Sequence, residues 1–416
     1  MSPQHWATTY ERVVQAIPKY VPDARVTLCG LSTFVDAYVR LHEATPLFEA
    51  PNGSPEETLG RELFRRASAG VGGEFFMDWP EGGAWIEKNL RILRWGVGGT
   101  GAQAAQTLAV IGAPALMSLE DRGQRQLSVL HPGIGVAVKH GVAKSGNIPA
   151  MERTKPAHYI FEFTAGTQLG STILKRSSRT IVRFGGEHLD ADPDFVRESI
   201  AAAGEAGAGI LSGMNEIQED YIDESLYQTV GLTRAWKERG LKLIHLEVGD
   251  YETDDTRKRV LNLLSGIITS LGMSYAELSA ILPGEGEPIE KAYALAKELD
   301  LRRLCVHSDT WALGVTKDDP ERELDALLCG SLLASVRAEK GIPSWPVGLP
   351  KNAEFRDLAW KSFLNIGSRC VVSCVTPYIE RPAGTIGLGD TFLAGTLLVL
   401  GGANRANAIG ETEISL

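Results

Sequence analysis

The stretch Gly384-Thr-Ile-Gly-Leu-Gly-Asp390-Thr-Phe-Leu-Ala-Gly395 near the C-terminus is the starting point for interpreting the chain. Three glycines precede Asp390, and an apolar run over 392–400 predicts a helix. A glycine turn that opens a helix presents free N–H groups and positive dipole charge, which suits a phosphate. A carboxylate there can take the proton of an attacking hydroxyl, although a helix-capping role explains Asp390 equally well.

Length and composition narrow the class of protein. A chain of 416 residues is too long for one ordinary core, so we expect two lobes. Hydrophobic residues make up 44% and charged residues 23%, which is typical of a soluble globular protein. A net charge of −10 argues against nucleic acid as a partner. We expect small-molecule ligands, no membrane partner, and a monomer or small homo-oligomer.

The N-terminus and the cysteines indicate a cytoplasmic location. The first residues lack the basic and apolar segments of a signal peptide, and no apolar run reaches membrane-spanning length. The number of cysteines is odd, and most lie in apolar segments. We therefore expect buried free thiols in a reducing compartment. The cysteines are Cys29, Cys305, Cys329, Cys370 and Cys374.

The N-terminal part of the chain begins with an amphipathic helix over 7–20 and an apolar strand over 26–36. Ligands gather at the carboxyl ends of strands in an open α/β sheet, so Asp36 is a candidate ligand contact. A turn or helix-cap role for this residue is the alternative. Residues 44–60 are rich in loop-forming residues, and 56–69 have helical periodicity.

A change of pattern occurs in the middle of the chain. Segments 158–163 and 179–184 alternate apolar and polar residues, which predicts half-exposed antiparallel strands that could cover a cleft as a lid. After residue 190, buried strands alternate with helices, which predicts a mostly parallel sheet with helices on both faces. The predicted strands are 210–213, 242–247, 304–307 and 370–374, and predicted helices include 256–264 and 288–298.

Gly96-Val-Gly98-Gly99-Thr100-Gly101 matches the dinucleotide-binding pattern G-x-G-x-x-G, and the acidic pair Glu120-Asp121 follows at a suitable distance. The preceding segment, 88–95, carries three basic residues and is more typical of a helix end than of a buried strand. We therefore favour glycines that allow the backbone to approach another ligand closely. An NAD site is the less favoured alternative.

Six short motifs follow one another along the chain. They are Gly30-Leu-Ser-Thr-Phe-Val-Asp36, Gly98-Gly99-Thr100, His245-Leu-Glu247, Ser274-Tyr-Ala-Glu277, Val306-His307-Ser308 and Gly387-Leu-Gly389-Asp390. In this order the chain resembles the ADP-dependent sugar kinases, that is, the glucokinase and 6-phosphofructokinase family with the ribokinase-like fold.

The resemblance implies a fold. It is an α/β fold with a ribokinase-like three-layer α/β/α core, a mostly parallel sheet and a small β-rich lid. We predict that the core contains residues 1–36, 61–130 and 185–416, and that the lid contains 37–60 and 131–184. Phosphoryl transfer must exclude water, so we expect the lid to close over both ligands. Hinges are predicted near residues 36–37 and 184–186, where Gly185 and Gly186 can absorb rotation.

The resemblance also implies roles for individual residues. Asp390 is expected to be the general base, and the N–H groups of Gly387, Leu388 and Gly389 to form an anion hole. A second group is expected to contact the sugar: Asp36, Gly98, Gly99 and, more loosely, Glu74. A third group is expected to contact the nucleotide: Arg179, Glu277, His307 and Ile386. Finally, Mg²⁺ is expected to be held, largely through water, by Glu247, Glu277 and Asp390.

The implied activity is transfer of the β-phosphoryl group of Mg·ADP to a sugar or sugar-phosphate hydroxyl, which releases AMP. Two alternatives remain: an ATP-dependent ribokinase-type carbohydrate or nucleoside kinase, and a non-catalytic relative that binds sugar or nucleotide. The second alternative is motivated by departures from the family pattern. Residues other than Asn stand at four positions where the family has Asn, namely Ser32, Phe34, Thr100 and Ser274.

Overall fold

The structure of the protein is a computed structural model that describes residues 2–152, 155–184, 189, 192–251 and 253–403. Within these residues the α-helices are α1 Pro3–Asp23, α2 Thr45–Phe48, α3 Pro55–Ala69, α4 Gly82–Asn89, α5 Thr100–Val110, α6 Gln124–Ser128, α7 Pro193–Ala202, α8 Ile222–Glu238, α9 Asp254–Leu264, α10 Tyr275–Ile281, α11 Pro288–Glu298, α12 Pro320–Lys340 and α13 Leu388–Leu400.

The strands in the same residues are β1 Thr27–Cys29, β2 Phe34–Arg40, β3 Gly73–Met77, β4 Arg94–Gly98, β5 Ala115–Met117, β6 Gly135–Val138, β7 Gly141–Lys144, β8 His158–Phe163, β9 Gln168–Leu169, β10 Thr172–Ile173, β11 Ser178–Phe184, β12 Ala208–Leu211, β13 Ile244–Glu247, β14 Ser270–Ser274, β15 Arg303–His307, β16 Trp311–Thr316, β17 Phe363–Ile366 and β18 Arg369–Val375.

Eleven of these strands form a large sheet in the order β17-β18-β16-β15-β14-β13-β12-β1-β5-β6-β7. The seven strands from β15 to β6 in this order run parallel, and antiparallel strands extend both edges. Helices cover both faces, because each buried strand carries apolar residues on its two sides. The predicted mostly parallel sheet between helical layers is confirmed.

Two apolar cores lie on opposite faces of the large sheet. One contains side chains of α1, α5, α12 and α13, such as Tyr10 and Leu327. The other contains side chains of α7, α8, α9 and α11, such as Phe195 and Trp236. All five cysteines are free and buried, as the sequence predicts. Helix α1 confirms the predicted N-terminal helix and begins where the Ser2 hydroxyl accepts a hydrogen bond from the His5 N–H.

Five strands form a small sheet in the order β3-β11-β8-β2-β4, and its β8 and β11 are antiparallel as predicted. These two strands are mostly buried, so the prediction that they are half-exposed is wrong. One face of the small sheet packs on α3, through residues such as Leu59 and Phe161. The other face carries Asp36 and lies against the loops at the carboxyl ends of the large sheet.

The strand assignments differ from the predicted division of the chain. Residues 73–77 and 94–98 were assigned to the core but form β3 and β4 of the small sheet. Residues 135–144 were assigned to the lid but form β6 and β7 at the edge of the large sheet. The loop-rich segment 44–60 contains the short helix α2 and the start of α3. These errors share a cause, since strand partners lie far away in the sequence.

The predicted strand 26–36 is two strands in different sheets. The chain leaves β1 of the large sheet, crosses over residues 30–33, and enters β2 of the small sheet at Phe34. Residues 36 and 37 therefore lie inside a paired strand, so the predicted hinge at this point is wrong. The second predicted hinge includes Gly185 and Gly186, which lie outside the described residues. Closure of the small sheet over ligands stays a prediction.

Candidate active site

The glycine turn of the opening stretch adopts a conformation that only glycine reaches easily. Gly387, the residue before α13, has a φ of 70°, in the left-handed region. The guanidinium group of Arg337 lies where a Cβ on Gly387 would be. The N–H groups of Leu388 and Gly389 belong to the first turn and have no acceptor within the helix. The predicted turn and helix are confirmed, and the anion hole stays a prediction.

Asp390 is half-buried in the third position of α13, at the cleft between the two sheets. Burial raises the pKa of its carboxyl, while the charge of Arg337 and a hydrogen bond with the Thr100 side chain oppose the rise. The N-cap position belongs to Gly387, so the alternative in which Asp390 caps the helix is wrong. A carboxylate whose pKa is raised toward neutral pH is well suited to act as a base.

Arg337, which the sequence did not suggest, is the buried cation of this site. It lies near the end of α12 and donates hydrogen bonds to Thr391 Oγ1 (2.9 Å) and Gln103 Oε1 (2.8 Å). Burial lowers the pKa of its guanidinium, and the charge of Asp390 opposes that fall. Its only sequence signal is an arginine after an apolar stretch of helix. The arrangement places one fixed positive charge beside the glycine turn.

Asp36 lies across the cleft from Asp390. It is 4% exposed, and burial raises the pKa of its carboxyl to about 6, with His158 opposing the rise and Asp390 adding to it. A Cβ on Gly98 would overlap the Asp36 carboxylate, and a Cβ on Gly99 would overlap the Ser32 carbonyl oxygen. Both glycines therefore permit close packing beside Asp36. The structure brings this predicted group of sugar contacts together, and their role stays a prediction.

A small cavity opens at the crossover from β1 to β2. Phe34 lines it and stacks on His158, with ring centroids 4.2 Å apart, so an aromatic ring occupies the position where the family has Asn. The buried Ser32 hydroxyl has no hydrogen-bond partner among the described residues and is available to a ligand. The full lining is Leu31, Ser32, Phe34, Lys155, Leu189, Gly213, Glu216 and Ile217.

Glu74 lies on β3 of the small sheet. Its carboxylate accepts a hydrogen bond from Asn215 Nδ2 (3.2 Å) and lies 3.6 Å from Arg183 Nε. Arg183 in turn donates to the Glu216 carbonyl (3.0 Å), beside the cavity. These contacts join the small sheet to the loop after β12, next to the predicted sugar site.

Glu247 ends β13 and is held by two histidines. Its carboxylate oxygens lie 2.9 Å from His245 Nε2 and 3.8 Å from His307 Nε2. Burial alone would raise the pKa of Glu247, but the histidine hydrogen bonds and charges lower it to about 2. Burial lowers the pKa of His245, whereas the contacts of His307 with Glu247 raise its pKa against the effect of burial. The site therefore keeps an ionised carboxylate in its interior.

Glu277 has a structural role at the start of α10. Its side chain accepts a hydrogen bond from the Ser274 N–H (2.6 Å), while its own N–H donates to Ser274 Oγ (3.2 Å). This capping box starts α10. Burial and the nearby charge of Glu247 raise the pKa of Glu277 to about 7. Glu277 thus caps a helix and, together with Glu247, forms an acidic cluster.

The three other predicted nucleotide contacts occupy different parts of the cleft. The His307 ring packs on Phe392, with centroids 5.2 Å apart. Arg179 faces the cleft from β11, where its charge lowers the pKa of Asp390. Ile386 instead packs on Tyr38 and Ile160 of the small sheet. His307 and Arg179 remain candidate nucleotide contacts, and the packing of Ile386 joins the glycine turn to the small sheet.

A second contact joins the glycine turn to the small sheet. The Thr385 N–H donates a hydrogen bond to Glu162 Oε1 (3.1 Å), and Glu162 is the register partner of Arg179. Paired residues on neighbouring strands share a face. A carboxylate and a guanidinium of the small sheet therefore lie together at the cleft.

The G-x-G-x-x-G pattern does follow a strand and open a helix, because β4 ends at Gly98 and α5 begins at Thr100. The prediction that 88–95 is a helix end is therefore wrong in part, since β4 begins at Arg94. However, β4 belongs to the small sheet and is antiparallel to β2. Glu120, the acid of the pattern, lies 3.3 Å from Lys155.

Solved structures identify the fold that this chain shares. An ADP-dependent kinase in complex with fructose-6-phosphate and ADPβS superposes with a TM-score of 0.82 at 20% identity, over 98% of this chain and 100% of that chain. The last common ancestor of ADP-dependent phosphofructokinases from Methanosarcinales gives a TM-score of 0.76 at 20% identity, over 96% and 99%. At this identity the likeness shows the fold, which is that of these kinases.

The sequence shows the family. Residues 54–399 match the conserved region described as ADP-specific Phosphofructokinase/Glucokinase, and the chain belongs to this family. An ADP-specific phosphofructokinase of Pyrococcus furiosus is 29% identical over 281 residues, 58% of this chain and 62% of that protein. An ADP-dependent glucose/glucosamine kinase of the same organism is 23% identical over 93% of this chain and 96% of that protein. The first alignment thus spans less than two thirds of its relative.

Among the residues that the structure describes, no helix is both long and apolar enough to cross a membrane.

Proposed function

We propose that the protein is an ADP-dependent sugar kinase, which transfers the β-phosphoryl group of ADP to a sugar hydroxyl and releases AMP. One observation carries the proposal: Asp390, the free N–H groups of the glycine turn and Arg337 meet at one point of a cleft, across from Asp36. A base, an anion hole and a fixed cation at one point are the parts that phosphoryl transfer needs.

In this mechanism Asp36 binds the acceptor sugar, and Asp390 accepts the proton of the attacking hydroxyl. The oxygen of that hydroxyl forms a bond to the β-phosphorus of ADP, and the bond from this phosphorus to the bridging oxygen breaks. The bridging oxygen leaves with AMP. Negative charge develops on the transferred phosphoryl oxygens, where the N–H groups of Leu388 and Gly389 and the charge of Arg337 stabilise it.

The acidic cluster fits a divalent cation. Glu247 and Glu277 are close enough that the charge of one raises the pKa of the other, so a bound cation would supply the missing positive charge. Among the described residues, no three His, Cys, Asp or Glu side chains are close enough together to coordinate a metal ion directly. Mg²⁺ commonly keeps several waters, so we propose that Glu247, Glu277 and Asp390 hold it through water. When bound, Mg²⁺ neutralises charge on the phosphates.

The charges around the cavity favour a neutral sugar over a sugar phosphate. Lys155 lies 3.3 Å from Glu120, and Arg183 lies 3.6 Å from Glu74, so each of these two cations already has a carboxylate beside it. A phosphate would have to compete with these carboxylates, and it would also meet Glu216 in the cavity lining.

The function is tested by incubating the protein with Mg·ADP and a panel of neutral hexoses, amino sugars and hexose phosphates, and measuring AMP. We expect AMP in equal amount to phosphorylated sugar, with higher kcat/KM for neutral sugars. Parallel reactions with ATP separate the ribokinase-type alternative, which would release ADP. Saturable binding of sugar or ADP without transfer to any acceptor would instead support the non-catalytic alternative and overturn the proposal.

The metal assignment predicts that Glu247→Gln and Glu277→Gln each raise the Mg²⁺ concentration for half-maximal activity about tenfold. Removing a carboxylate that holds a metal through water or through another ligand commonly weakens metal binding by about this factor. Glutamine can still accept the hydrogen bond of the Ser274 N–H, so Glu277→Gln should keep the start of α10. Ser274→Ala is the matched control, because it weakens the helix cap but keeps the acid. Identical Mg²⁺ titrations for both glutamine variants and the parent would show that these acids are structural.

A further inference from the structure

Three polar side chains lie side by side on neighbouring strands of the large sheet. His245 on β13 is the register partner of Ser270 on β14, and Ser270 is the partner of Arg303 on β15. Register partners share a face of the sheet, and so does Glu247, two residues beyond His245. His245, Ser270 and Arg303 are each at most 4% exposed. A buried polar row therefore ends at the proposed metal-binding carboxylate.

The donor and the acceptor of each hydrogen bond in this row follow from the chemistry of the groups. An ionised carboxylate can only accept, so the 2.9 Å contact between His245 Nε2 and Glu247 requires the proton on Nε2. Nδ1 of the neutral ring is then an acceptor, and the Ser270 hydroxyl 2.8 Å away must donate to it. Arg303 Nη1 donates to the oxygen of that hydroxyl at 3.3 Å. The bonds run in one direction, from Arg303 to Glu247.

Both ends of the row are fixed by packing. Arg303 Nε lies 2.9 Å from each carboxylate oxygen of Glu323, and both side chains are almost completely buried. Glu323 fits over Gly314, where a Cβ would overlap its carboxylate. At the other end, a Cβ on Gly272 would overlap both Glu247 and the His245 ring. The strands therefore leave room for these hydrogen bonds and little room for other rotamers.

We propose that Ser270 and Arg303 are positioning residues, which hold the His245 proton on Nε2 and thereby orient Glu247 toward the metal-nucleotide site. The proposal rests on the proposed function, because Glu247 is assigned to the metal there. Neither Ser270 nor Arg303 needs to touch a ligand. Their effect passes through His245, since a carboxylate fixed by its hydrogen-bond partner binds a metal or its waters with less loss of side-chain freedom.

The test begins with the metal-free protein labelled with ¹⁵N-histidine. The ring ¹⁵N shifts of His245 should show the neutral Nε2–H tautomer in the parent, and Ser270→Ala should mix the two tautomers. Ser270→Thr keeps the hydroxyl and should restore the parent shifts. The matched control is Ser373→Ala, because Ser373 is also fully buried on the same sheet but accepts its hydrogen bond from Trp360. Ser270→Cys, which keeps the volume, replaces the alanine variant where that variant does not fold.

Calorimetry of ADP binding at increasing Mg²⁺ gives a second readout that needs no turnover. Ser270→Ala should raise the Mg²⁺ concentration that supports half-maximal ADP affinity about tenfold. This is the smaller end of the loss of metal affinity usually seen when a residue that orients a metal-binding side chain is removed. Ser373→Ala and Ser270→Thr should match the parent.

An Nδ1–H or doubly protonated His245 ring in the parent would overturn the proposal. So would a Ser270→Ala protein whose Mg²⁺ dependence equals that of Ser373→Ala. A parent protein that phosphorylates no sugar, yet shows the tautomer and the Mg²⁺ shift, would refute the proposed function while supporting the positioning roles. The two proposals can therefore fail separately.

Discussion

Replacing Asp390 with asparagine is expected to lower kcat for sugar phosphorylation about 10²–10⁴-fold, the usual effect of losing a general base. The amide keeps the shape of the side chain and can still bond to Thr100, but it cannot accept the hydroxyl proton. The Kd of ADP measured without Mg²⁺ should change little, because the proposed contacts of Asp390 are with the acceptor hydroxyl and, through water, with Mg²⁺. Steady-state AMP release and calorimetry of ADP binding measure the two effects separately.

The matched control for this variant is Asp194→Asn. Asp194 also lies in the first turn of a helix, α7, and is partly buried, but its ion pair is with Arg197 at the surface. Its replacement should leave kcat unchanged. Turnover like that of the parent in Asp390→Asn would remove Asp390 from the role of base. Loss of ADP binding together with kcat would instead place the carboxylate on the nucleotide.

The pH profile of kcat/KM checks the same assignment without a mutation. Burial raises the pKa of Asp390, and the base works only when deprotonated, so activity should be lost as pH falls through that raised value. Burial also brings the pKa of Asp36 to about 6 and that of Glu277 to about 7, so these two carboxyls are expected to contribute to the acid limb of the parent as well. In the pH profile of the residual activity of Asp390→Asn, the acid limb should be less steep, because one fewer carboxyl has to lose its proton.

Local patterns predicted the parts of the fold that depend on neighbours in sequence. The glycine turn and α13 follow from three glycines before an apolar run, and both are confirmed. The start of α10 could also have been identified, because Ser274 and Glu277 have the spacing of a capping box. In these places the hydrogen bonds that fix the structure close within a few residues.

The division into two sheets could not be predicted in the same way. Residues 26–36 were predicted as one strand, yet β1 pairs with β12 and β5, whereas β2 pairs with β4 and β8. Which partner a strand takes depends on segments up to about two hundred positions away. The same reason explains why 73–77 and 94–98 were assigned to the wrong lobe.

The site was predicted where its residues belong to motifs and missed where they act through distant contacts. Asp36, Asp390, Glu247 and Glu277 all face the cleft, in agreement with the order of their motifs. Arg337 could not be identified, because a single arginine at the end of an apolar helix does not indicate that it lies beside residue 387. Its position depends on the packing of α12 against α13, which the sequence does not display.

Gly387→Ala is expected to lower kcat/KM for ADP about 10²–10³-fold, which is the usual loss when a donor of an anion hole is misplaced. Gly387 has a φ of 70°, where a residue with a Cβ is disfavoured by about 1–2 kcal/mol. The new Cβ would also overlap the guanidinium of Arg337, which is held by Thr391 and Gln103. The turn must therefore shift, and the N–H groups of Leu388 and Gly389 move with it.

Gly231→Ala is the control for adding a methyl group to a glycine. Gly231 lies inside α8, a Cβ there meets no atom within 4 Å, and alanine favours helix, so this variant should keep parent activity and stability. Both variants are compared by AMP release at low ADP and by thermal unfolding, which separates a damaged site from a damaged fold. Parent-like kcat/KM in a folded Gly387→Ala protein would show that the turn accommodates a side chain without moving its N–H groups, or that these groups do not contact the phosphoryl group. Either result would contradict the anion hole, because its function depends on donors fixed in place before the reaction.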